Sequence, residues 1–352
     1  MQLEKYGWDE EFERQFLKQA DEGRRPGRIY VEHKGLYGIL TEEGQIQGEV
    51  SGKFRYAAEG IGAFPAVGDW IVMEPRAGGD RATIHAVLPR RSRFSRKVAG
   101  VQTQEQVVAA NFDHVFIINS LNWDFNLRRL ERYLTMAWES GACPVIVLTK
   151  KDLCEEAAER VREVEAIAFG VPVHAVSAVT GEGMEGIGKY LKPGSTAVFL
   201  GSSGVGKSTL TNHLAGSEIM DVNGIREDDS RGRHTTTFRQ LVVLPEGGIV
   251  IDTPGMRELQ LWDADDGLQG AFEDIDSIAA GCRFKDCRHE SEPGCAVKES
   301  IRTGLLPADR LDSYKKLQKE LLFLEAKQNQ AVRLMEKKNG KQLAKYIKSL
   351  KQ

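Results

Sequence analysis

Residues 201–208 read Gly201-Ser202-Ser203-Gly204-Val205-Gly206-Lys207-Ser208 and satisfy the phosphate-loop pattern G-x-x-x-x-G-K-[ST] at every position. This motif constrains a fold tightly, because it works only between a strand and a helix. Both neighbours are present. Ala197-Val198-Phe199-Leu200 is an apolar run suited to a buried parallel strand, and Thr209 to Leu214 reads as a helix stopped at Gly216. The glycines let the backbone wrap closely around an anion, so that N–H groups and the positive end of the helix face phosphate oxygens. In that cradle Lys207 is expected to reach the β- and γ-phosphates of a nucleotide, with the Ser208 hydroxyl on Mg²⁺ and Thr209 in the same first helical turn.

At 352 residues the chain is too long for one compact core and is expected to form two or three domains. Its 41% hydrophobic and 28% charged content describes a soluble globular protein, and no run approaches the ~20 apolar residues of a membrane span. Met1 to Ala20 is acidic and polar, unlike a signal peptide, so a cytoplasmic location without membrane contact is expected. A net charge of −3 excludes a globally basic nucleic-acid binder but averages over unequal segments. Three of the five cysteines crowd between positions 282 and 295, which favours a metal over disulfides in a reducing compartment.

From the start, residues 1–25 read as a helical arm with Trp8, Phe12, Phe16 and Leu17 on one face. After Pro26-Gly27 come five short β segments, Arg28–Glu32, Leu36–Thr41, Gln45–Val50, Trp70–Glu74 and Thr83–Leu88, which suggest a small barrel. An OB-fold is the first choice; an SH3-like barrel gives much the same pattern. Next, Pro89-Arg90-Arg91-Ser92-Arg93-Phe94-Ser95-Arg96-Lys97 carries five cations around one aromatic. It suits either a solvated linker or an RNA contact that neutralises phosphates and stacks on a base.

From Asp113 onward strands and helices alternate, as in a doubly wound parallel sheet with ligands at the C-terminal strand ends. One strand runs into Thr149-Lys150-Lys151-Asp152, similar to the guanine motif N-K-x-D. An Asp carboxylate there accepts from guanine N1–H and N2–H₂, whereas adenine offers neither donor and would leave a polar site unpaired. Thr149 lacks the Asn amide that ties this loop to the phosphate loop, which weakens the expected nucleotide affinity. Ser177-Ala178 follows the next strand, where a second base contact belongs, and Asp252-Thr253-Pro254-Gly255 gives the D-x-x-G that senses the γ-phosphate, with Asp252 near Mg²⁺. Ordinary GTPases run phosphate loop, D-x-x-G, N-K-x-D, S-A-K; here the last two come first, so the chain is a circular permutation with its cyclic order intact. The segment after Gly255 is therefore tethered to the γ-phosphate sensor.

Met256 occupies the position where many regulatory GTPases place a water-orienting Gln. His234, ahead of Thr235-Thr236-Thr237, is the candidate replacement, and Thr236 the candidate Mg²⁺ ligand from that segment. Cys282, Cys287, His289 and Cys295 form C-x₄-C-x-H-x₅-C, the donor set of a closed structural Zn²⁺ site. Cys143 and Cys154 stand apart as free thiols. The chain ends in a basic helical stretch from Lys315 to Lys351, suited to phosphate contact.

With these parts in this order, the chain resembles the bacterial ribosome small subunit-dependent GTPase A (RsgA) family over nearly its whole length. The resemblance is carried by the barrel, GSSGVGKS, GRHTTT, DTPG and the cysteine-histidine cluster. It implies an OB-fold, hydrolysis of GTP to GDP and phosphate stimulated by the small (30S) ribosomal subunit, contact with its rRNA, and a role in its late maturation. One structural Zn²⁺ on the four residues above matches the family's zinc site, with Mg²⁺ accompanying GTP. The fold expected is multidomain: a helical arm at 1–25, an OB-fold β-barrel with its basic linker at 26–97, a central α/β circularly permuted P-loop GTPase at 98–262, and a C-terminal zinc-binding helical domain at 263–352. A monomer is expected. The alternative is an rRNA-binding assembly scaffold whose nucleotide-switch domain turns over too slowly to matter.

Overall fold

Strands of six to nine residues, broken by glycine and acidic turns, curl the first part of the chain into a barrel. The computed structural model describes residues 3–33, 35–97, 105–219, 240–252, 265–323 and 326. The barrel comprises β1 (Arg25–His33), β2 (Leu36–Thr41), β3 (Gly44–Val50), β4 (Trp70–Pro75) and β5 (Arg81–Val87) in the order β1-β2-β3-β5-β4, closed by a β1–β4 pairing. All pairings are antiparallel except β3 with β5. A parallel neighbour needs a crossover, here built from α2 (Gly52–Ala57) and β4. This closed arrangement is OB-like, and Ile29, Ile39, Ile71 and Ile84 fill its interior.

The arm packs onto this barrel. Helix α1 (Glu10–Leu17) is capped by the Asp9 carboxylate, which accepts from the N–H groups of Glu11 and Phe12. Trp8, Phe12 and Phe16 are buried around Trp70, with the Trp8 and Trp70 rings 4.7 Å apart. Leu17 departs from the expected face and is 66% exposed. At 100° per residue it falls about a quarter turn beyond Phe16.

The basic stretch is neither free linker nor stacking platform. The Arg90 guanidinium forms a fork with buried Asp69 at 2.7 and 2.8 Å and donates to the carbonyls of Gly62 and Phe64. Arg91 pairs with Asp9 and lies 3.8 Å from the Phe12 ring centroid, clamping the arm. Phe94 is buried and stacked on Phe112, so its ring is closed to a base. Residues 93–97 form β6 (Arg93–Lys97), antiparallel to β7 (Glu105–Ala110), and the expected boundary at 97/98 falls within this pair.

The α/β sheet consists of β8 (His114–Ser120), β9 (Cys143–Thr149), β10 (Val173–Ala175), β11 (Thr196–Gly201), β12 (Gln240–Val243) and β13 (Ile249–Asp252). Their order is β10-β9-β8-β11-β13-β12, with β12 antiparallel to β13 and the other pairings parallel. Helices α3 (Leu127–Glu139), α4 (Ala157–Glu165), α5 (Met184–Gly188) and α6 (Lys207–Ala215) connect and cover the strands. Every residue of β11 is buried, as an interior parallel strand requires. Arg28 joins arm, barrel and sheet by donating to the carbonyls of Tyr6, Gly68 and Asn111. Burial pushes its guanidinium down to about 10, against the pull of Asp113 and Asp69, so it stays charged at neutral pH.

Beyond the sheet lie α7 (Asp265–Ala271), α8 (Glu273–Ala279), α9 (Ala296–Arg302) and α10 over residues 308–323. Helix α7 lies so close to α3 that a side chain at Gly267 would begin 2.4 Å from the Thr135 carbonyl oxygen. Buried Arg310 on α10 donates to Glu131 of α3 at 2.9 Å and to both carboxylate oxygens of Asp274 on α8. The C-terminal helices are thus fastened to α3 as well as following D-x-x-G in the chain. Among the described residues, no helix is long and apolar enough to cross a membrane.

Candidate functional site

The phosphate loop turns between β11 and α6 as its pattern predicts. Gly204 and Gly206 have φ of +80° and +99°, the left-handed backbone that favours glycine. Gly206 precedes the first turn of α6, whose N–H groups face the loop's mouth. Lys207 Nζ donates to the carbonyls of Gly201 at 2.9 Å and Ser202 at 2.6 Å, which places the ammonium over the loop. Ser208 and Thr209 occupy the same turn. Ser202 and Ser203 lie in the loop itself, with the Ser202 hydroxyl 3.4 Å from that of Tyr133 on α3. Asp252, 3% exposed, ends β13 beside β11. A hydroxyl and a carboxylate are hard oxygen donors of the kind Mg²⁺ takes.

The guanine-type loop is bound directly to the phosphate loop, and by a residue that sequence reasoning discounted. Thr149 Oγ1, 3% exposed in the whole residue, donates to the Val205 carbonyl at 2.5 Å. The hydroxyl makes the tie for which an amide was thought necessary. Lys150 takes φ of +60° and extends its ammonium to the Gly204 carbonyl at 2.8 Å, so two successive side chains clasp two successive loop residues. Lys151 turns the other way, pairing with Glu182 at 2.6 Å. Asp152 is exposed, at the free end of this loop. Ser177 is buried after β10; its backbone N–H donates to the Glu182 carbonyl and its hydroxyl accepts from Thr180 N–H. Ala178 follows in the same turn, and its carbonyl meets His213 on α6. His213 was not anticipated; nothing in its sequence neighbourhood marks it.

If the Thr149 tie holds the two loops in register, Thr149→Val, nearly isosteric, will strand a buried carbonyl and raise the dissociation constant for a fluorescent guanine nucleotide about tenfold. Thr149→Ser will stay within about threefold of the parent. Equal affinity of the valine variant in the same titration counts against the tie.

His234, Thr236 and Gly255 lie outside the described residues, as do Thr235, Thr237, Met256 and the basic segment from residue 327 onward.

The sulfur and nitrogen donors of Cys282, Cys287, His289 and Cys295 all lie within 4.8 Å of one another. Cys282 Sγ is 3.9 Å from Cys295 Sγ and 3.7 Å from His289 Nδ1, and His289 Nδ1 is 3.4 Å from Cys295 Sγ. A tetrahedron with Zn–S bonds of about 2.3 Å has edges of about 3.8 Å, so the donors fit Zn²⁺ in type and spacing. The surroundings hold them in place. Cys295 caps α9, its sulfur accepting from Lys298 N–H, and Lys315 of α10 donates to the His289 carbonyl. The Glu292 carboxylate accepts from the N–H groups of Arg288, Glu290 and Ser291, and these bonds hold its carboxyl down to about 2. Cys143 is exposed and Cys154 half-buried, both free thiols.

Known proteins resemble this chain. The family model described as RsgA GTPase matches residues 87–262, and one described as 50S ribosome-binding GTPase matches 196–337. The chain is 46% identical over 330 residues to the Small ribosomal subunit biogenesis GTPase RsgA 2 of Lactiplantibacillus plantarum, covering 93% of each chain. It is 44% identical over 345 residues to the Small ribosomal subunit biogenesis GTPase RsgA of Methanosarcina acetivorans, covering 97% of this chain and 91% of the other. The crystal structure of YjeQ from Thermotoga maritima superposes with a TM-score of 0.63 at 30% identity, over 85% of this chain and 99% of that one. YloQ, described as a circularly permuted GTPase, shares the fold with a TM-score of 0.61 at 24% identity, over 86% and 96% of the two chains. Barrel, permuted sheet and Cys₃His cluster follow one another along this chain, and by its match to the family model and its relatives the chain belongs to the RsgA GTPase family.

Proposed function

We propose that the chain hydrolyses GTP to GDP and phosphate in the cytoplasm while bound to the small ribosomal subunit, which stimulates turnover, and that it acts late in that subunit's maturation. The observation that carries this reading is the clasp of Thr149 and Lys150 on the phosphate loop, in a chain 46% identical to a small-subunit biogenesis GTPase. Asp152 reads guanine N1–H and N2–H₂, with Ser177 and Ala178 supplying a second contact to the base. Lys151 braces these two loops against each other. The N–H groups of residues 201–208 hold the phosphates, and Lys207 exchanges its carbonyl partners for the β- and γ-oxygens. Ser208, Asp252 and Thr236 would hold Mg²⁺, which supplies charge neutralisation on those oxygens. His234 orients the attacking water, and Gly255 carries the γ-phosphate signal onward.

The proposed division is arm 1–25, barrel 26–97, GTPase 98–262 and zinc-binding helical domain 263–352, acting as a monomer. Contact with rRNA falls to surfaces whose cations are free to make it. Helix α2 presents exposed Lys53 and Arg55 beside Tyr56, which is 95% exposed, and the basic segment after residue 327 adds further positive charge. Turnover of GTP and ATP, alone and with isolated small or large subunits, tests the whole reading. GTP-selective turnover that rises at least about tenfold with small subunits alone is expected. Flat turnover alongside RNA binding that ignores the nucleotide overturns it in favour of the scaffold, and stimulation by large subunits reassigns the partner.

A further inference from the structure

Helix α6 meets the nucleotide loops at both ends. Its first turn carries Lys207 and Ser208, and in its last turn the His213 ring bonds through Nδ1 to the Ala178 carbonyl at 2.9 Å. A carbonyl only accepts, so Nδ1 carries the proton. The ring lies against this turn: a side chain on Gly181 would begin 3.6 Å from His213 Cε1. Gly181 itself has φ of +82° and donates to the Ser177 carbonyl, closing the turn beneath the ring. Among the described residues, the Ala178 N–H has no acceptor within the protein, whereas its carbonyl is taken by His213. Ala178 is therefore gripped at its carbonyl, with its N–H, in the preceding peptide group, left to a ligand.

From this geometry we infer that His213 is a positioning residue for base recognition, holding the Ser177–Ala178 turn at a fixed span from the phosphate cradle through the rigid length of α6. The inference rests on the GTPase reading above and adds a residue to it. The helical rise from Lys207 to His213 sets that span at about 9 Å along the axis. The Thr149 and Lys150 clasp fixes the other base loop to the same cradle, and the Lys151–Glu182 pair ties the two base loops together. His213 closes the ring of contacts on its remaining side. Without it the turn would still form through its own Ser177 bonds, but its distance from the phosphates would be loose. Base and phosphates would then be held less well together, in ground and transition states alike, which raises KM and leaves kcat alone.

Three proteins decide the matter: the full-length parent, His213→Ala and His213→Asn. Alanine is a good helix former and His213 is exposed, so α6 is retained. The Asn amide nitrogen sits where Nδ1 does and can donate to the same carbonyl. Stopped-flow release of a fluorescent GDP, together with KM and kcat for GTP, is measured for each. The alanine variant is expected to release GDP about tenfold faster and raise KM about tenfold with kcat within about twofold, and the asparagine variant to return both to within about threefold of the parent. Release from the alanine variant at the parental rate overturns the inference. So does an asparagine variant as impaired as alanine, or a fall in kcat at constant KM. A parent that fails to prefer GTP to ATP would instead sink the reading on which the inference stands.

Discussion

Arg310→Ala is expected to destabilise the attachment of the C-terminal helices by about 3–5 kcal/mol, the range for breaking a buried ion pair from one side. The guanidinium is 1% exposed and faces Glu131, which is fully buried, and Asp274. It also donates to the Ala271 carbonyl and lies 4.7 Å from the Phe272 ring centroid. Removing it leaves a buried carboxylate with Arg128 as its remaining cation among the described residues, and Glu131 Oε2 already finds no hydrogen-bond partner there. The desolvation of Glu131 is thus left poorly compensated. The loss should be local. Helices α7 to α10 should separate from α3 in an earlier denaturant transition, followed by fluorescence of Trp138, which packs against Gly270 of α7. Arg310→Met with Glu131→Leu should cost less than Arg310→Ala, because the fully buried charge of Glu131 is removed together with its partner. One unshifted transition for the alanine variant would show that the network does not hold the module.

The same network marks where sequence reasoning stopped. The phosphate loop, the strand ahead of it and the permuted order were legible because each is written in consecutive residues. The Asn126 cap of α3 is just as local, its carboxamide oxygen accepting from Arg129 N–H at 3.0 Å. The five barrel strands were legible as a set, but not their closure, since β3 beside β5 is a pairing across the chain. The charged run at 90–97 misled because a sequence shows a cation and not its partner. Asp69 lies 21 positions before Arg90, and Asp9 lies 82 before Arg91. Glu131 reads as the solvent face of an amphipathic helix until α10 covers it. Thr149 misled differently: its family position was judged by the missing amide, yet what the neighbouring carbonyl needs is any donor at that distance. The clustering of the three cysteines and one histidine was legible, because the four donors fall within one short stretch, 282–295.

Removing zinc should unfold the ligand loop and leave the sheet intact. Zinc binding in small modules is itself folding free energy, roughly 10–16 kcal/mol at neutral pH, so a loop built on one metal has little else to hold it. Residues 282–295 are poor in buried apolar side chains: Cys295 is buried, while Phe284 is 41% exposed. By contrast Ile275, Val297, Leu306, Leu311 and Leu317 belong to the same continuous core as Leu130 and Leu134 of α3. With zinc bound, the module would have two attachments of different kinds, one through metal and one through shared core and Arg310. Chelation, or Cys282→Ser, is expected to release one zinc ion per chain and to lower amide-exchange protection of the loop and the first turn of α9 by at least about a thousandfold. Protection in β8, β9 and β11 should be unchanged, and so should guanine-nucleotide affinity. Exchange that is unaltered in the loop would show that the four side chains cluster without a metal. Exchange that spreads at once to β11 would show that the metal holds the GTPase core as well.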